Sequence, residues 1–198
     1  MVREKWRKQD PALQAKRCGA GFFLSGDEKI VKLPFFGQIM EATHPEGDVK
    51  SAESGEKPPI SEQILILHYL SSDYPFPETD KLIAYSEIPD GKFYDAPYQK
   101  RTRNYLLGVF GTRLETLKAA AKMLDAEFED RGDIAFSLEA FPKVRVHFVC
   151  WEGDDEFEPE ASVLWENSVQ AFLDAESIAV LGTMAVGRLA KAAREIKE

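Results

Sequence analysis

The sequence of this 198-residue chain predicts an α+β fold: a mostly antiparallel sheet packed by helices in a single domain over residues 1–198. Two observations predict it. Segments with strand-like alternation and segments with helical spacing occur in blocks and do not alternate strictly, which favours α+β over α/β. Hydrophobic residues make up 44% of the chain and aromatic residues 11%, enough for one well-packed core. No repeat, low-complexity tract or linker indicates a second domain.

The N-terminal third predicts a short helix followed by strands. The Asp-Pro pair at residues 10–11 is typical of a helix start, with the aspartate as N-cap and the proline in the first turn. Residues 21–24 and 29–33 flank a Ser-Gly-Asp turn and predict a hairpin. A further strand is predicted over residues 35–43. The polar stretch 44–59 is interpreted as a long surface loop.

The middle of the chain predicts a mixture of helix and strand. Ser61 is a candidate N-cap for the apolar run 63–70, which forms a helix if it is buried on all sides. A central strand is the competing interpretation, because periodicity alone does not separate the two. Residues 81–88 predict a strand that ends at a Pro-Asp-Gly turn. A helix is predicted to follow Pro97 and to end at Gly111.

Next along the chain, Thr112 and Glu115 form a capping box ahead of apolar residues at helical spacing. Residues 133–141 and 144–151 are then predicted to pair as an antiparallel hairpin. The link between them is far shorter than the dozen or so residues that a parallel crossover needs. Residues 161–173 predict a short helical or mixed segment.

The last helix is predicted to begin at Asp174, which acts as its N-cap. Its apolar residues keep a helical period and are expected to lie on the apolar face of the sheet, near Phe136 and Phe148. Burying each large side chain of this stripe contributes about 1.5–3 kcal/mol, which is enough to fix where the helix packs. The stripe consists of Ile178, Leu181, Ala185 and Leu189.

The composition excludes several classes of function. A net charge of −9 and a pI near 5.0 disfavour nucleic acid and anionic membranes as partners, because both require a basic surface. No apolar run approaches the roughly 20 residues of a membrane span, and the charged N-terminus is unlike a signal peptide, so we expect a cytoplasmic protein. The phosphate-loop, dinucleotide-binding, nucleophile-elbow and His-Glu-x-x-His motifs are absent from the sequence.

The chain contains two cysteines, Cys18 and Cys150, which lie far apart in the sequence. Two thiols do not suffice for a four-cysteine zinc or iron–sulfur site, so no iron–sulfur cluster is expected. Cys150 falls in an apolar strand, where a free thiol most often acts as a small buried hydrophobic side chain.

The most informative stretch is the loop that follows the strand over residues 144–151. It holds six carboxylates within nine residues, and like charges this close must be offset by solvent, basic neighbours, backbone N–H groups or a cation. The carboxylates of this acidic loop are Glu152, Asp154, Asp155, Glu156, Glu158 and Glu160. Three interpretations stay open: a site for Mg²⁺, Mn²⁺ or Ca²⁺ with Asp154 and Glu156 as candidate ligands, ion pairs with the basic residues 100–103, or an exposed turn.

A candidate ligand-binding site combines this loop with the polar face of the preceding strand. His147 shares that face with Arg145 and Trp151, immediately before the carboxylates. A histidine near carboxylates suits a general base or a metal ligand; the alternative is a half-exposed strand residue without chemistry. The candidate ligand-binding residues are His147, Trp151, Asp154, Asp155, Glu156 and Phe157.

Several phrases of the sequence together resemble a family of uncharacterised domains from anaerobic bacteria and archaea, over nearly the whole chain. They are residues 17–20 (Arg-Cys-Gly-Ala), 67–70 (Leu-His-Tyr-Leu), 87–91 (Glu-Ile-Pro-Asp-Gly), 141–142 (Phe-Pro), 151–157 (Trp-Glu-Gly-Asp-Asp-Glu-Phe) and 174–181. The resemblance implies one fold over the chain and an anaerobic setting, but no reaction. Relatives that carry an extra four-cysteine iron–sulfur segment differ from this chain, which lacks it. The chain also departs from the family pattern at two positions. The proline that usually follows the phenylalanine directly comes one residue later here, in Glu158-Pro159, and Glu166 stands where an aspartate is expected.

Two hypotheses of function follow. The first is a non-enzymatic accessory or small-ligand- or cofactor-binding domain in anaerobic metabolism, with a small molecule or a protein as partner. It rests on the missing catalytic motifs and on the many Phe and Tyr residues between 35 and 98, which are candidates to line a pocket. The alternative is a metal-assisted hydrolase or lyase, in which His147, Asp154 and Glu156 converge on a divalent cation. The sequence leaves the ligand, the cofactor and the oligomeric state open.

Overall fold

The chain folds into helices and two antiparallel sheets in a computed structural model, which describes residues 1–73, 79, 81–111 and 113–196. Within these residues seven α-helices are formed: α1 (Val2–Arg7), α2 (Pro11–Arg17), α3 (Ile60–Leu70), α4 (Gly91–Arg101), α5 (Arg103–Phe110), α6 (Leu114–Met123) and α7 (Ala175–Glu195). The helices and the sheets described next confirm the predicted α+β class.

The same residues form nine strands: β1 (Gly21–Ser25), β2 (Glu28–Phe35), β3 (Gln38–His44), β4 (Val49–Ser51), β5 (Leu82–Ala84), β6 (Glu127–Glu129), β7 (Ile134–Phe141), β8 (Val144–Trp151) and β9 (Glu160–Glu166). One sheet has the order β1-β2-β3-β4 and the other has the order β5-β9-β8-β7-β6. All neighbouring strands are antiparallel.

The hairpin predicted near the C-terminus is confirmed and forms the centre of the larger sheet. β7 and β8 pair antiparallel, with Phe136 opposite Phe148 and Ser137 opposite His147. The rings of Phe136 and Phe148 stack with their centroids 5.0 Å apart and are fully buried. The two strands therefore bury one apolar face and direct Ser137 and His147 to the other.

The C-terminal helix α7 covers this apolar face, as predicted. Asp174 caps it by accepting a hydrogen bond from Ser177 N at 2.8 Å. The stripe Ile178, Leu181, Ala185 and Leu189 is completely buried, and α7 contacts β7 and the helices α3 to α6. A Cβ at Gly182 would lie 3.1 Å from both Trp165 of β9 and Tyr98 of α4, so a larger residue here would require these rings to shift. Among the described residues no helix has both the length and the apolar character needed to cross a membrane.

The two sheets share one hydrophobic core. Phe36 N donates a hydrogen bond to Ala140 O at 3.1 Å, which joins the end of β2 to the end of β7. Beside this bond the Tyr69 and Phe141 rings stack at 4.2 Å, and Phe35 lies 4.9 Å from Phe141. Phe35 of β2 and Tyr69 of α3 thus both pack on Phe141 at the end of β7.

In the N-terminal third the predictions for helix and hairpin are confirmed, while the prediction of a loop is partly wrong. Asp10 Oδ1 accepts hydrogen bonds from the first turn of α2, and β1 pairs with β2. The stretch 44–59, predicted as a loop, contains the strand β4, which pairs with β3. Three residues are too few for a periodic pattern, so pairing to a neighbour creates this strand.

In the middle of the chain several boundaries differ from the prediction. The run 63–70 is helical, but α3 begins at Ile60 after Pro59, so Ser61 lies inside the helix and caps nothing. The strand predicted over residues 81–88 is limited to β5, after which a 3₁₀ turn begins at Tyr85.

The helix predicted to follow Pro97 begins earlier, at Gly91, and breaks at Thr102. It ends before Gly111 as predicted, where the backbone has φ +42°. Thr112, half of the predicted capping box, lies outside the described residues.

The prediction of a helical or mixed segment over residues 161–173 is wrong for its first half. β9 pairs with β8 over residues 160–165, and a 3₁₀ helix follows over Asn167–Ala171. Ala161, Val163 and Trp165 are buried, whereas the residues between them are partly exposed, so the segment has the period of two that a strand requires. β9 therefore lies inside the larger sheet, between β5 and β8.

Candidate ligand-binding site on the polar sheet face

The larger sheet has two chemically different faces because side chains alternate along each strand. The face under the helices is apolar. The opposite face, here called the polar sheet face, carries charged and polar side chains from four adjacent strands. They are Glu127 and Glu129 from β6, Ser137 and Glu139 from β7, Arg145 and His147 from β8, and Glu166 from β9.

Arg145 organises one half of this face. Its two terminal nitrogens donate to the two oxygens of Glu127 at 2.6 and 2.8 Å, and one of them also donates to Ser137 Oγ at 3.0 Å. The carboxylate of Glu139 lies 3.4 Å away. The planar guanidinium donates two hydrogen bonds to the Glu127 carboxylate, so this ion pair is geometrically better defined than the contact with Glu139. Its terminal donors are therefore already used within the protein.

His147 occupies the other half, between two carboxylates. Its Nδ1 lies 2.7 Å from Glu129 Oε1, and its Nε2 lies 3.5 Å from Glu166 Oε1. Only 10% of the side chain is exposed. When Nδ1 carries the proton and donates to Glu129, Nε2 presents a lone pair toward a second acceptor. Nε2 has no hydrogen-bond partner among the described residues.

A cavity of about 390 Å³ lies at the end of the sheet where the β7–β8 link is found. Glu166 borders this cavity and also faces His147 Nε2, so it connects the two. The described residues that line the cavity are Thr79, Pro142, Lys143, Arg145, Glu166, Ser168 and Phe172.

The acidic loop is exposed and is organised by its own backbone. Asp154 Oδ1 accepts hydrogen bonds from the backbone N–H groups of Glu156 and Phe157, both at 2.8 Å. These two bonds hold the pKa of Asp154 below its usual range, because they favour the charged carboxylate. Phe157 is 70% exposed. The backbone N–H groups, together with solvent, thus offset part of the loop's negative charge.

The predicted site residues do not come together as one cluster. Within the described residues, no group of three His, Cys, Asp or Glu side chains is arranged to hold a metal ion. Among the same described residues, no ion pair joins the acidic loop to the basic residues 100–103. Of the candidates, His147 lies on the polar sheet face, Trp151 lies 40% exposed at the end of β8, and Asp154, Asp155, Glu156 and Phe157 lie in the solvated loop. Whether they bind a ligand stays a prediction.

Sequence reasoning missed Glu129 and Glu166 as the two carboxylates nearest His147. Glu129 belongs to a strand of three residues, and Glu166 to a segment interpreted as helical or mixed. The alternation of Glu127 and Glu129 about Phe128, and of Glu166 with the buried Trp165, is the signal that identifies them.

The two cysteines take no part in the site. Both are free and buried, and burial raises the pKa of each thiol to about 12. They are therefore inert at neutral pH. The aromatic residues proposed to line a pocket belong mostly to the core, where Phe35, Tyr69 and Tyr98 are fully buried.

The fold and the site define an α+β domain with one helix-covered and one polar sheet face. Comparison with protein families matches residues 10–188 to the family described as "Domain of unknown function (DUF3786)". The chain belongs to this family, as the sequence resemblance indicated. No curated protein and no solved structure matches it.

Proposed function

We propose that this domain binds a small molecule at the polar sheet face. In this proposal His147 Nε2 and the carboxylate of Glu166 together receive a hydrogen-bond-donating, positively charged group of the ligand. The observation that carries the proposal is the buried Nε2 atom without a partner, 3.5 Å from a carboxylate oxygen.

The energetics of this arrangement support a ligand. A buried polar atom without a hydrogen bond costs about 1–3 kcal/mol, so a partner for it is favourable. In the neutral ring, an Nδ1–H bond to Glu129 orients the imidazole and leaves Nε2 as an acceptor. Two acceptors 3.5 Å apart repel unless a donor beside them bonds to both. A ligand N–H group supplies that donor.

The two carboxylates nearest His147 favour a cationic group at this position, while Lys143 and Arg145 line the adjoining cavity. The guanidinium of Arg145 is already bound by Glu127, Ser137 and Glu139, so it has little capacity left for a ligand carboxylate. Glu129 and Glu166 instead give the site negative charge. A primary amine or amidine meets both acceptors with one group.

The adjoining cavity supports a ligand of limited size. Its volume of about 390 Å³ lies at the small end of the range for ligand pockets, about 300–1,000 Å³. Phe172 and Pro142 give it apolar walls, and Ser168 adds a hydroxyl. We therefore propose a small amine whose carbon skeleton lies in the cavity and whose nitrogen reaches Glu166 and His147.

A binding screen with matched variants tests this proposal. Thermal shift and native mass spectrometry are run with a panel of small primary amines and with carboxylic acids of the same carbon skeleton. We expect amines to bind and the acids not to bind. The variants His147→Ala and Glu166→Ala should weaken the affinity for a bound amine at least 10-fold, because each removes one acceptor. Asp155→Ala, in the acidic loop, is the control and should bind like the wild type.

Two results would overturn the proposal: no amine binds, or a bound amine is unaffected by both site variants. The proposed activity is binding and needs no catalytic group. The accessory role in anaerobic metabolism rests on the resemblance and stays a prediction. So does the metal-assisted hydrolase or lyase at the acidic loop, since no geometric observation favours it.

A further inference from the structure

A second pair of reactive side chains lies between α3 and α7, on elements other than the polar sheet face. His68 Nδ1 is 3.0 Å from Ser177 Oγ. A hydroxyl within hydrogen-bond distance of an imidazole nitrogen is the starting arrangement of serine nucleophiles, in which the histidine accepts the hydroxyl proton. This pair does not depend on the ligand site proposed above.

The position of Ser177 favours reaction at its oxygen. It is the third residue of α7, a helix of 21 residues. The N–H groups in the first turn of a helix lack intrahelical partners and carry the positive end of the helix dipole, which stabilises negative charge nearby. Asp174 already caps the helix by accepting from Ser177 N, so the Ser177 hydroxyl has no capping role and is available to His68.

The pair also borders space that a substrate can enter. A cavity of about 440 Å³ lies against both side chains. Its described lining is Met1, Val2, Ser61, Ile64, Leu65, His68, Glu176, Ser177 and Val180. A second cavity of about 210 Å³ borders His68 and Asp174. The larger cavity is mostly apolar, as a pocket for an acyl chain would be.

We infer that Ser177 is a nucleophile and His68 its general base, acting on carboxylic esters or thioesters with a short apolar acyl group. Ser177 Oγ attacks the carbonyl carbon while His68 Nδ1 takes its proton. The bond to the leaving alcohol or thiol then breaks, and His68 returns the proton to that group. This leaves an ester on Ser177. Water, deprotonated by His68, attacks this ester, and the acid and the free serine are regenerated.

The pair lacks the third member of a full triad. No carboxylate contacts His68 among the described residues. Disrupting the aspartate of a serine protease triad lowers kcat about 10⁴-fold, so slow turnover is expected here. Covalent labelling is therefore a sharper test than steady-state hydrolysis.

The test uses a fluorophosphonate probe, in which serine oxygen displaces fluoride from phosphorus and the base accepts the serine proton. Intact mass spectrometry measures the labelling rate, and peptide mapping finds the labelled residue. We expect one label per chain on Ser177 and none on Ser177→Ala. His68→Gln, whose amide preserves a hydrogen bond to the hydroxyl, should label at least about 100-fold more slowly because it is no base. Ser25→Ala, at an exposed position at the end of β1 outside this cavity, is the control and should label like the wild type.

Circular dichroism and the unfolding temperature establish that each variant is folded. The inference is overturned if folded wild-type protein stays unlabelled while a serine hydrolase in the same tube reacts. It is also overturned if the label maps to another residue, or if His68→Gln reacts at the wild-type rate. In the last case the bond between His68 and Ser177 only joins two helices.

Discussion

The acidic loop and the polar sheet face both concentrate carboxylates, but by different means. The loop places six of them within nine consecutive residues, where most point into solvent. The sheet face gathers four glutamates from three strands, and each lies near Arg145 or His147. The carboxylates of the loop are therefore neighbours in the sequence, whereas those of the sheet face are brought together by the fold.

This difference shows what makes a carboxylate useful for recognition. Solvent screens an exposed carboxylate, and such a group contributes little to stability or specificity. A half-buried carboxylate opposite an oriented imidazole acts at lower local dielectric, where electrostatic interactions are stronger. Glu166 is of this second kind, and the loop residue Asp154 is of the first.

The largest expected effect distinguishes the two regions by stability. Arg145→Ala should lower the free energy of unfolding by about 1–2 kcal/mol, because it removes charge-assisted hydrogen bonds and a packed side chain together. Asp155→Ala in the loop should stay within about 0.5 kcal/mol of the wild type. Urea denaturation followed by circular dichroism measures both. Equal effects would contradict the contrast between sheet face and loop.

The second prediction concerns Glu166→Gln, which places an amide N–H opposite the unpartnered His147 Nε2. This new bond should stabilise the protein by about 0.5–1.5 kcal/mol, while it weakens amine binding. Thermal unfolding and the amine titration measure the two effects. Glu139→Gln, on the same face but away from His147, is the control. A lower unfolding temperature for Glu166→Gln would mean that a charged His147 is held between both carboxylates, and the ligand proposal would fail.

The third prediction addresses metal binding by the loop. Millimolar Mg²⁺, Mn²⁺ or Ca²⁺ should leave the unfolding temperature unchanged, because exposed ligands without a third partner bind these ions weakly. The double variant Asp154→Asn with Glu156→Gln is the comparison. A cation-dependent shift of the unfolding temperature in the wild type that disappears in this variant would establish the metal site. The contrast between the acidic loop and the polar sheet face would then be reversed.

The smallest effect is a local one in the loop. Asp154→Ala should speed hydrogen exchange at the Glu156 and Phe157 amides, since it removes their acceptor, whereas Asp154→Asn should largely preserve protection.

The lowered pKa of Asp154 means that the charged form is favoured in the folded loop. This stabilisation is therefore present above the unfolded pKa of an aspartate and lost as the pH falls through the folded pKa. Exchange measured as a function of pH, at both amides, checks this direction. Protection that increases on acidification would contradict it.

The sequence by itself determined the features that depend on near neighbours. Residues 133–151 form a hairpin because two alternating segments are separated by a link too short for any other connection. The helix after Asp174 follows from its cap and its apolar stripe, and the burial of Cys150 follows from its apolar strand. The long acidic loop was also evident from the sequence. Its carboxylates do not, however, converge on one site as their density suggested.

Only the tertiary structure decided which side chains meet. Glu129 reaches His147 from a three-residue strand whose existence depends on pairing with β7. Glu166 reaches it from β9, whose composition alone does not separate strand from helix. His68 and Ser177 are 109 residues apart and meet because α3 and α7 pack together. Strand order and helix packing are set by burial of the whole core, and no local pattern encodes them.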